Sequence, residues 1–222
     1  MPPDPRAAKY DAVLFDLLSA LLDSWSMWNE VAQEATGAPE LGTRWRKRYL
    51  ELIQGAGRYR PYEEFMVEAA RELGLPATAA AALIARWGDL EPWPEAPAVL
   101  RALARHVPLA IVTNCSDALA RQGAAQSGGT FAVICAAESV GWYKPDARAY
   151  RKALDALGVE SGRVLYVAGS PGDVIGAAAV RMRVYWHDRL RLRRERADAL
   201  SAATFTHASL HPLVAEVLGA RP

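Results

Sequence analysis

The chain has 222 residues, 51% hydrophobic and 23% charged, an ordinary composition for a soluble globular protein with one sizeable core and room for a small second domain. Its formal charge of +1 argues against nucleic acid or a membrane surface as the main partner. No apolar run approaches the ~20 residues of a membrane span, and the N-terminal Met-Pro-Pro-Asp-Pro-Arg stretch shows no apolar signal core.

Residues 1–9 are proline-rich and are expected to be loose. Residues 10–16 predict the first strand, an apolar run that stops abruptly at Asp16. A buried strand ending at a carboxylate puts a reactive group where open α/β sheets bind ligands, beyond the carboxyl ends of their strands. The plainer reading is an acid that caps the next turn. Residues 21–26 read as a hinge. From about 25 to 89 the pattern is helical throughout, about four helices with apolar faces such as Trp28, Val31, Ala32 and Trp45, Tyr49, Leu50, Ile53. Gly55, Gly57, Pro61 and the stretch from Gly74 to Pro76 mark its breaks. Glu91-Pro-Trp-Pro94 is a stiff linker.

From Pro94 onward, helices and apolar strands alternate. Helices are predicted at 96–105, 116–125, 147–157 and 174–180, and strands at 109–112, 131–135, 164–167 and 184–186. Further helices are predicted near 190–200 and 208–219. Such alternation means a parallel sheet covered on both faces. The basic run from Arg189 to Arg196 reads as a solvated helix face, with an anion or nucleic-acid site as the minor reading. Cys115 and Cys135 lie on or beside predicted strands, so core thiols in a reducing cytoplasm are expected.

Four stretches stand out in order. They are the strand ending at Asp16, Leu109-Ala-Ile-Val-Thr-Asn-Cys-Ser116, Gly141-Trp-Tyr-Lys-Pro-Asp146 and Val164-Leu-Tyr-Val-Ala-Gly-Ser-Pro-Gly-Asp173. Together they resemble the four signatures of the haloacid dehalogenase superfamily, over nearly the whole chain. The resemblance implies an α/β, Rossmann-like parallel-sheet core from residues 1–23 and 94–222. The helical block at 24–93 looks like the four-helix cap of the 2-haloacid dehalogenase branch.

The resemblance makes Asp16 the nucleophile, forming a covalent intermediate that water hydrolyses. Most of the superfamily are phosphatases with a second aspartate two residues on, which protonates the leaving alkoxide. Here that position is Leu18, the threonine position is Ala20, and Gly169 replaces one of the two later acids that help to hold Mg²⁺. A halide is a weak base and needs no proton donor, so these departures are tolerable for carbon–halogen cleavage. The 2-haloacid branch works without a metal. Arg44-Trp-Arg-Lys-Arg48 resembles that branch's Trp-Arg pair, which gives Arg46 as the halide acceptor, beside Trp45. Being planar, always charged and rich in donors, a guanidinium suits an anion; a solvated helix face is the bland alternative.

Thr113 and Asn114 match the second signature and are expected to hold a substrate carboxylate. Lys144 would balance the charge of Asp16, and Asp173 would orient or activate the hydrolytic water. Tyr150, Ser170 and Leu18 complete the expected substrate pocket. No cofactor is expected. The partner is a small carboxylic acid, in a cytoplasmic protein that the resemblance makes a possible homodimer. The favoured activity is dehalogenation of a small 2-haloacid. The runner-up is a Mg²⁺-dependent phosphatase, with Asp16 and Asp173 on the metal, and the third reading is a non-catalytic binding protein of the same fold.

Overall fold

All four residues of the first strand, β1 (Ala12–Phe15), are buried. A strand apolar on both faces must be covered on both. In the computed structural model, which describes residues 8–191 and 197–219, that cover comes from helices on either side of a six-stranded parallel sheet. The other strands are β2 (Leu109–Thr113), β3 (Val133–Ala136), β4 (Val164–Ala168), β5 (Arg183–His187) and β6 (Phe205–His207). Their order is β3-β2-β1-β4-β5-β6. Phe15 is paired with Ile111 on one side and Val167 on the other. The chain leaves β1 towards β2 and β3, then returns to β1's other side as β4. Strand order reverses there, and that is where the carboxyl ends of an open sheet leave a crevice.

Alternate residues of each strand supply opposite faces, as a period of two requires. Val13, Phe15, Ile111, Leu165 and Val167 face one apolar layer. Ala12, Leu14, Ala110, Val112, Val164 and Tyr166 face the other.

Four helices are inserted between β1 and β2: α1 (Ser24–Thr36), α2 (Glu40–Ala56), α3 (Tyr62–Glu72) and α4 (Ala79–Ala85). Asp23 caps α1 by accepting from the Ser26 N–H at 3.2 Å, and Gly37 ends the helix in the left-handed conformation at φ 78°. Helices α1 and α2 touch backbone to backbone: a Cβ on Gly42 would stand 2.3 Å from the Trp28 carbonyl oxygen. Rings fill the interior of this insert. Trp28 meets Trp45 at 4.6 Å and Tyr49 at 5.1 Å, and Tyr62 meets Trp87 at 6.2 Å. The aromatic cluster is continuous with one apolar layer of the sheet. Trp87 Nε1 donates to the Leu119 carbonyl at 3.0 Å, and Tyr143 Oη to the Arg60 carbonyl at 2.7 Å.

The remaining helices are α5 (Ala96–Leu103), α6 (Asp117–Gln126), α7 (Ala137–Val140), α8 (Ala147–Leu157), α9 (Pro171–Ala179), α10 (Ala197–Ala202) and α11 (Leu213–Leu218). The structure corrects the sequence reading at the C-terminal end. A sixth strand, Phe-Thr-His, lies between the last two helices and pairs with β5, Tyr185 opposite Phe205. It is three residues long, half-buried and at the sheet edge, so it carries no apolar run to betray it. The helix after it, α11, is shorter than expected. The predicted fourth insert helix stops at Ala85 and gives way to a 3-10 turn at Trp87–Asp89. The proline-rich residues 1–7 and the basic stretch at 192–196 lie outside the described residues. Among the described residues, no helix is long and apolar enough to cross a membrane. Cys115 and Cys135 are buried and free.

Candidate active site

The crevice holds the four stretches singled out from the sequence. Asp16 leaves the end of β1 with its N–H still on the Val167 carbonyl at 2.9 Å. The chain then curls back beneath its own carboxylate. Oδ2 accepts the backbone N–H groups of Ser19 at 3.0 Å and Ala20 at 3.3 Å. Oδ1 accepts Lys144 Nζ at 2.9 Å.

Gly169, just after β4, explains how this turn fits. A Cβ there would fall 2.4 Å from Ala20 N and 2.5 Å from the Ser19 carbonyl carbon, so the 16–20 turn lies directly on the glycine backbone. Two side chains from distant segments hold its other edge. Trp93 Nε1 donates to the Ser19 carbonyl at 3.0 Å, and His187 Nδ1 lies 2.9 Å from the Ala20 carbonyl oxygen. A carbonyl only accepts, so Nδ1 carries the proton. Burial lowers the His187 pKa.

Lys144 is the hub. Its ammonium contacts Asp16, both oxygens of Asp173 at 2.9 and 3.1 Å, and Tyr166 Oη at 3.1 Å. Burial opposes its charge, but Asp16 and Asp173 together outweigh that and raise its pKa. Asn114 fixes the lysine's backbone rather than reaching out: its Oδ1 accepts Lys144 N at 2.7 Å and its Nδ2 donates to Lys144 O at 3.4 Å. The Thr113 hydroxyl donates to Cys115 Sγ at 3.3 Å.

Asp173 sits in the first turn of α9, whose N-cap Ser170 accepts the Asp173 N–H at 3.3 Å. Its Oδ1 also accepts Tyr150 Oη at 3.2 Å. Burial pushes the carboxyl up to about 6, with the Asp16 charge adding to the rise and Lys144 opposing it.

Arg46 comes from α2. Gly42, Trp45, Arg46, Tyr49 and Ile53 form the buried stripe of that helix, a 3.6-residue periodicity that selects Arg46 alone from the basic run. Arg44 and Lys47 are exposed, and Arg48 pairs with Glu51 and Glu72. Arg46 is 2% exposed. Its guanidinium lies 4.5 Å from the Trp25 ring centroid, and Nη2 donates to Ser19 Oγ at 3.1 Å. Its Nε and Nη1 are buried with no acceptor among the described residues. A buried cation with open donors is costly unless an anion meets it.

These groups line one cavity of about 450 Å³. Asp16, Leu18, Arg46, Thr113, Asn114, Lys144, Ser170 and Asp173 all face it. Two expected residues do not. Trp45 is buried in the insert, its Nε1 donating to the Met66 carbonyl at 2.8 Å, and Trp25 takes the wall position instead. Tyr150 stands behind Asp173, outside the cavity lining. Ser19, Trp25, Tyr166, Trp93 and His187 were not singled out from the sequence. Only Tyr166 left a trace there, as a polar-tipped ring inside the apolar run of β4.

The donor set does not fit a magnesium ion, which takes about six oxygen ligands in near-octahedral geometry. Lys144 occupies the space between Asp16 and Asp173, and the turn packed on Gly169 excludes any side chain at the position of the missing acid. Among the described residues, no group of three or more His, Cys, Asp or Glu is placed to hold a metal.

Comparison with known proteins places this geometry. The family model described as "haloacid dehalogenase-like hydrolase" matches residues 10–181. Haloacetate dehalogenase H-2 of Moraxella sp. (strain B) is 30% identical over 194 residues, 82% of this chain and 87% of that protein. Phosphatase MT3486 of Mycobacterium tuberculosis (strain CDC 1551 / Oshkosh) is 29% identical over 189 residues, 80% of this chain and 87% of its own. Among solved structures, the L-2-haloacid dehalogenase RSc1362 superposes with a TM-score of 0.82 at 26% identity, covering 92% of this chain and 97% of that one.

Proposed function

Since the chain belongs to the haloacid dehalogenase-like hydrolases, we propose that it cleaves the carbon–halogen bond of a 2-haloacid through an ester on Asp16. One observation carries the reading: Arg46 is buried in the same cavity as Asp16 with two N–H groups lacking an acceptor. A departing halide supplies the missing anion. The apolar Leu18 disfavours a phosphatase, whose alkoxide leaving group needs a proton donor.

The steps follow from the hydrogen bonds. Oδ2 of Asp16 is held by two backbone N–H groups, so Oδ1 forms the bond to C2 as halide leaves towards Arg46. In the ester, Oδ2 is the carbonyl oxygen. The same two N–H groups then stabilise the oxyanion when water attacks the Asp16 carboxyl carbon. Asp173 takes the proton from that water and returns it to the alkoxide, giving the 2-hydroxyacid and a free Asp16. Lys144 holds both carboxylates in place, and the Ser170 cap, Asn114 and Tyr150 fix the groups around it. Residues 24–93 act as a cap over a core of residues 1–23 and 94–222. The free thiols suit a reducing cytoplasm, and family resemblance alone implies a homodimer.

The deciding experiment is a screen for halide and phosphate release, with and without EDTA. Halide release from a 2-haloacid that survives chelation is expected. Phosphate release that vanishes with EDTA and returns with Mg²⁺ would replace this reading with a phosphatase.

Acid should act on the second step. Asp173 must be ionised to take a proton, and in the free protein burial, helped by Asp16, sets its carboxyl at about 6. Esterification neutralises Asp16 and removes that contribution, so the midpoint falls in the intermediate. Ester breakdown in a single turnover is therefore expected to be flat above about pH 6 and to fall about tenfold per pH unit well below its midpoint. Breakdown that instead speeds up in acid would remove Asp173 as the base.

A further inference from the structure

Building on the proposed haloacid chemistry, we infer that the site takes carboxylates with an extended apolar substituent on C2, rather than the shortest haloacids. The cavity of about 450 Å³ lies in the range that holds drug-sized ligands, roughly 300–1,000 Å³. A two-carbon acid fills only a small part of a cavity that size. Water left beside Asp16 would solvate it, and a hydrated carboxylate is a poor nucleophile.

The walls show what would displace that water. Among the charged groups, Lys144 joins Asp16 to Asp173. The same cavity is lined by the side chains of Leu18, Trp25, Tyr49, Leu50 and Ile53. Helix α2 adds the buried Arg46 and the exposed Lys47, Glu51 and Gln54 to the lining. Opposite Gln54 the wall is the bare backbone of Gly172; a Cβ there would meet only the Gln54 amide nitrogen, at 3.3 Å. An acid with its C2 beside Asp16 thus has apolar side chains in the same cavity for its substituent, and each added methylene buried against them leaves water.

The test uses unhalogenated acids, which bind without turnover. Dissociation constants for propanoate, butanoate, pentanoate and hexanoate are measured by calorimetry on the full chain. Affinity is expected to rise about fourfold per methylene, the gain for burying one CH₂. In Gly172→Leu, whose side chain grows into the cavity, the rise should stop or reverse. A flat or falling series in the unaltered protein overturns the inference, whatever halide release shows. A rising series with no halide release from any 2-haloacid overturns the dehalogenase reading and leaves the binding inference standing.

Discussion

Asp16→Asn is expected to lower halide release by roughly four orders of magnitude or more, as removal of a covalent nucleophile does. The amide has nearly the same shape, and its oxygen still accepts from Ser19 N and Ala20 N, so the fold should survive. What is lost is the negative charge facing C2 and half the counter-charge of Lys144. Isotope labelling separates this role from that of a general base. In a single turnover in H₂¹⁸O with enzyme in excess, the product should carry unlabelled oxygen and the label should enter the peptide containing Asp16. Water attacks the carboxyl carbon of the ester, so the oxygen it brings stays on the protein. Direct attack of water on C2 would label the product in that first turnover and leave the peptide mass unchanged. A complementary result is expected from Asp173→Asn, where the ester should form and persist long enough to be seen by mass.

Arg46→Ala is expected to cost about two to three orders of magnitude in kcat/KM, the scale for losing a donor aimed at developing negative charge. Arg44→Ala and Arg48→Ala should stay within a few-fold, because Arg44 is exposed and Arg48 is tied to two glutamates. Arg46→Lys should recover little, since a compact ammonium cannot present the planar fork that stacks near Trp25. Stability should move the other way in Arg46→Met. Replacing a buried, incompletely paired cation with an apolar side chain of similar size is often neutral or stabilising by about 1–4 kcal/mol. A protein that melts no lower yet has lost turnover would show that the charge is kept for the halide. Equal, small losses of activity for all three arginines would show that the basic run is only a solvated face.

Periodicity carried much of this protein's design into the sequence. The apolar run of β1 is there because the strand is buried on both faces, and it ends where the next residue, Asp16, carries a charge; that boundary is written in side-chain chemistry alone. The alternation of strands and helices announced a parallel sheet for the same reason. Arg46 is reached through the resemblance of Trp45-Arg46 to the family branch's Trp-Arg pair, and the structure gives the physical reason: the buried stripe of α2 passes through it and not through its basic neighbours. Resemblance to four signatures in order linked Asp16, Lys144 and Asp173 before any distance was known.

What lay hidden depends on segments far apart in the chain. Trp45 was the expected wall, but the packing of α1 on α2 through Gly42 turns it into the insert and brings Trp25 to the cavity. Tyr150 looked like a substrate contact; the fold uses it to hold Asp173 from behind, while Asn114 lines the cavity and also clamps the Lys144 backbone. Gly169 read as a missing acid, whereas the structure shows a position where the 16–20 turn leaves no room for a side chain. Trp93 and His187 hold that turn from 74 and 167 residues away. The short-range repeat of a strand or helix decides which face a residue occupies. Which acceptor a buried donor then meets is decided when distant elements pack, because an unpaired buried polar group costs too much to leave unmet, and no local pattern encodes that partner.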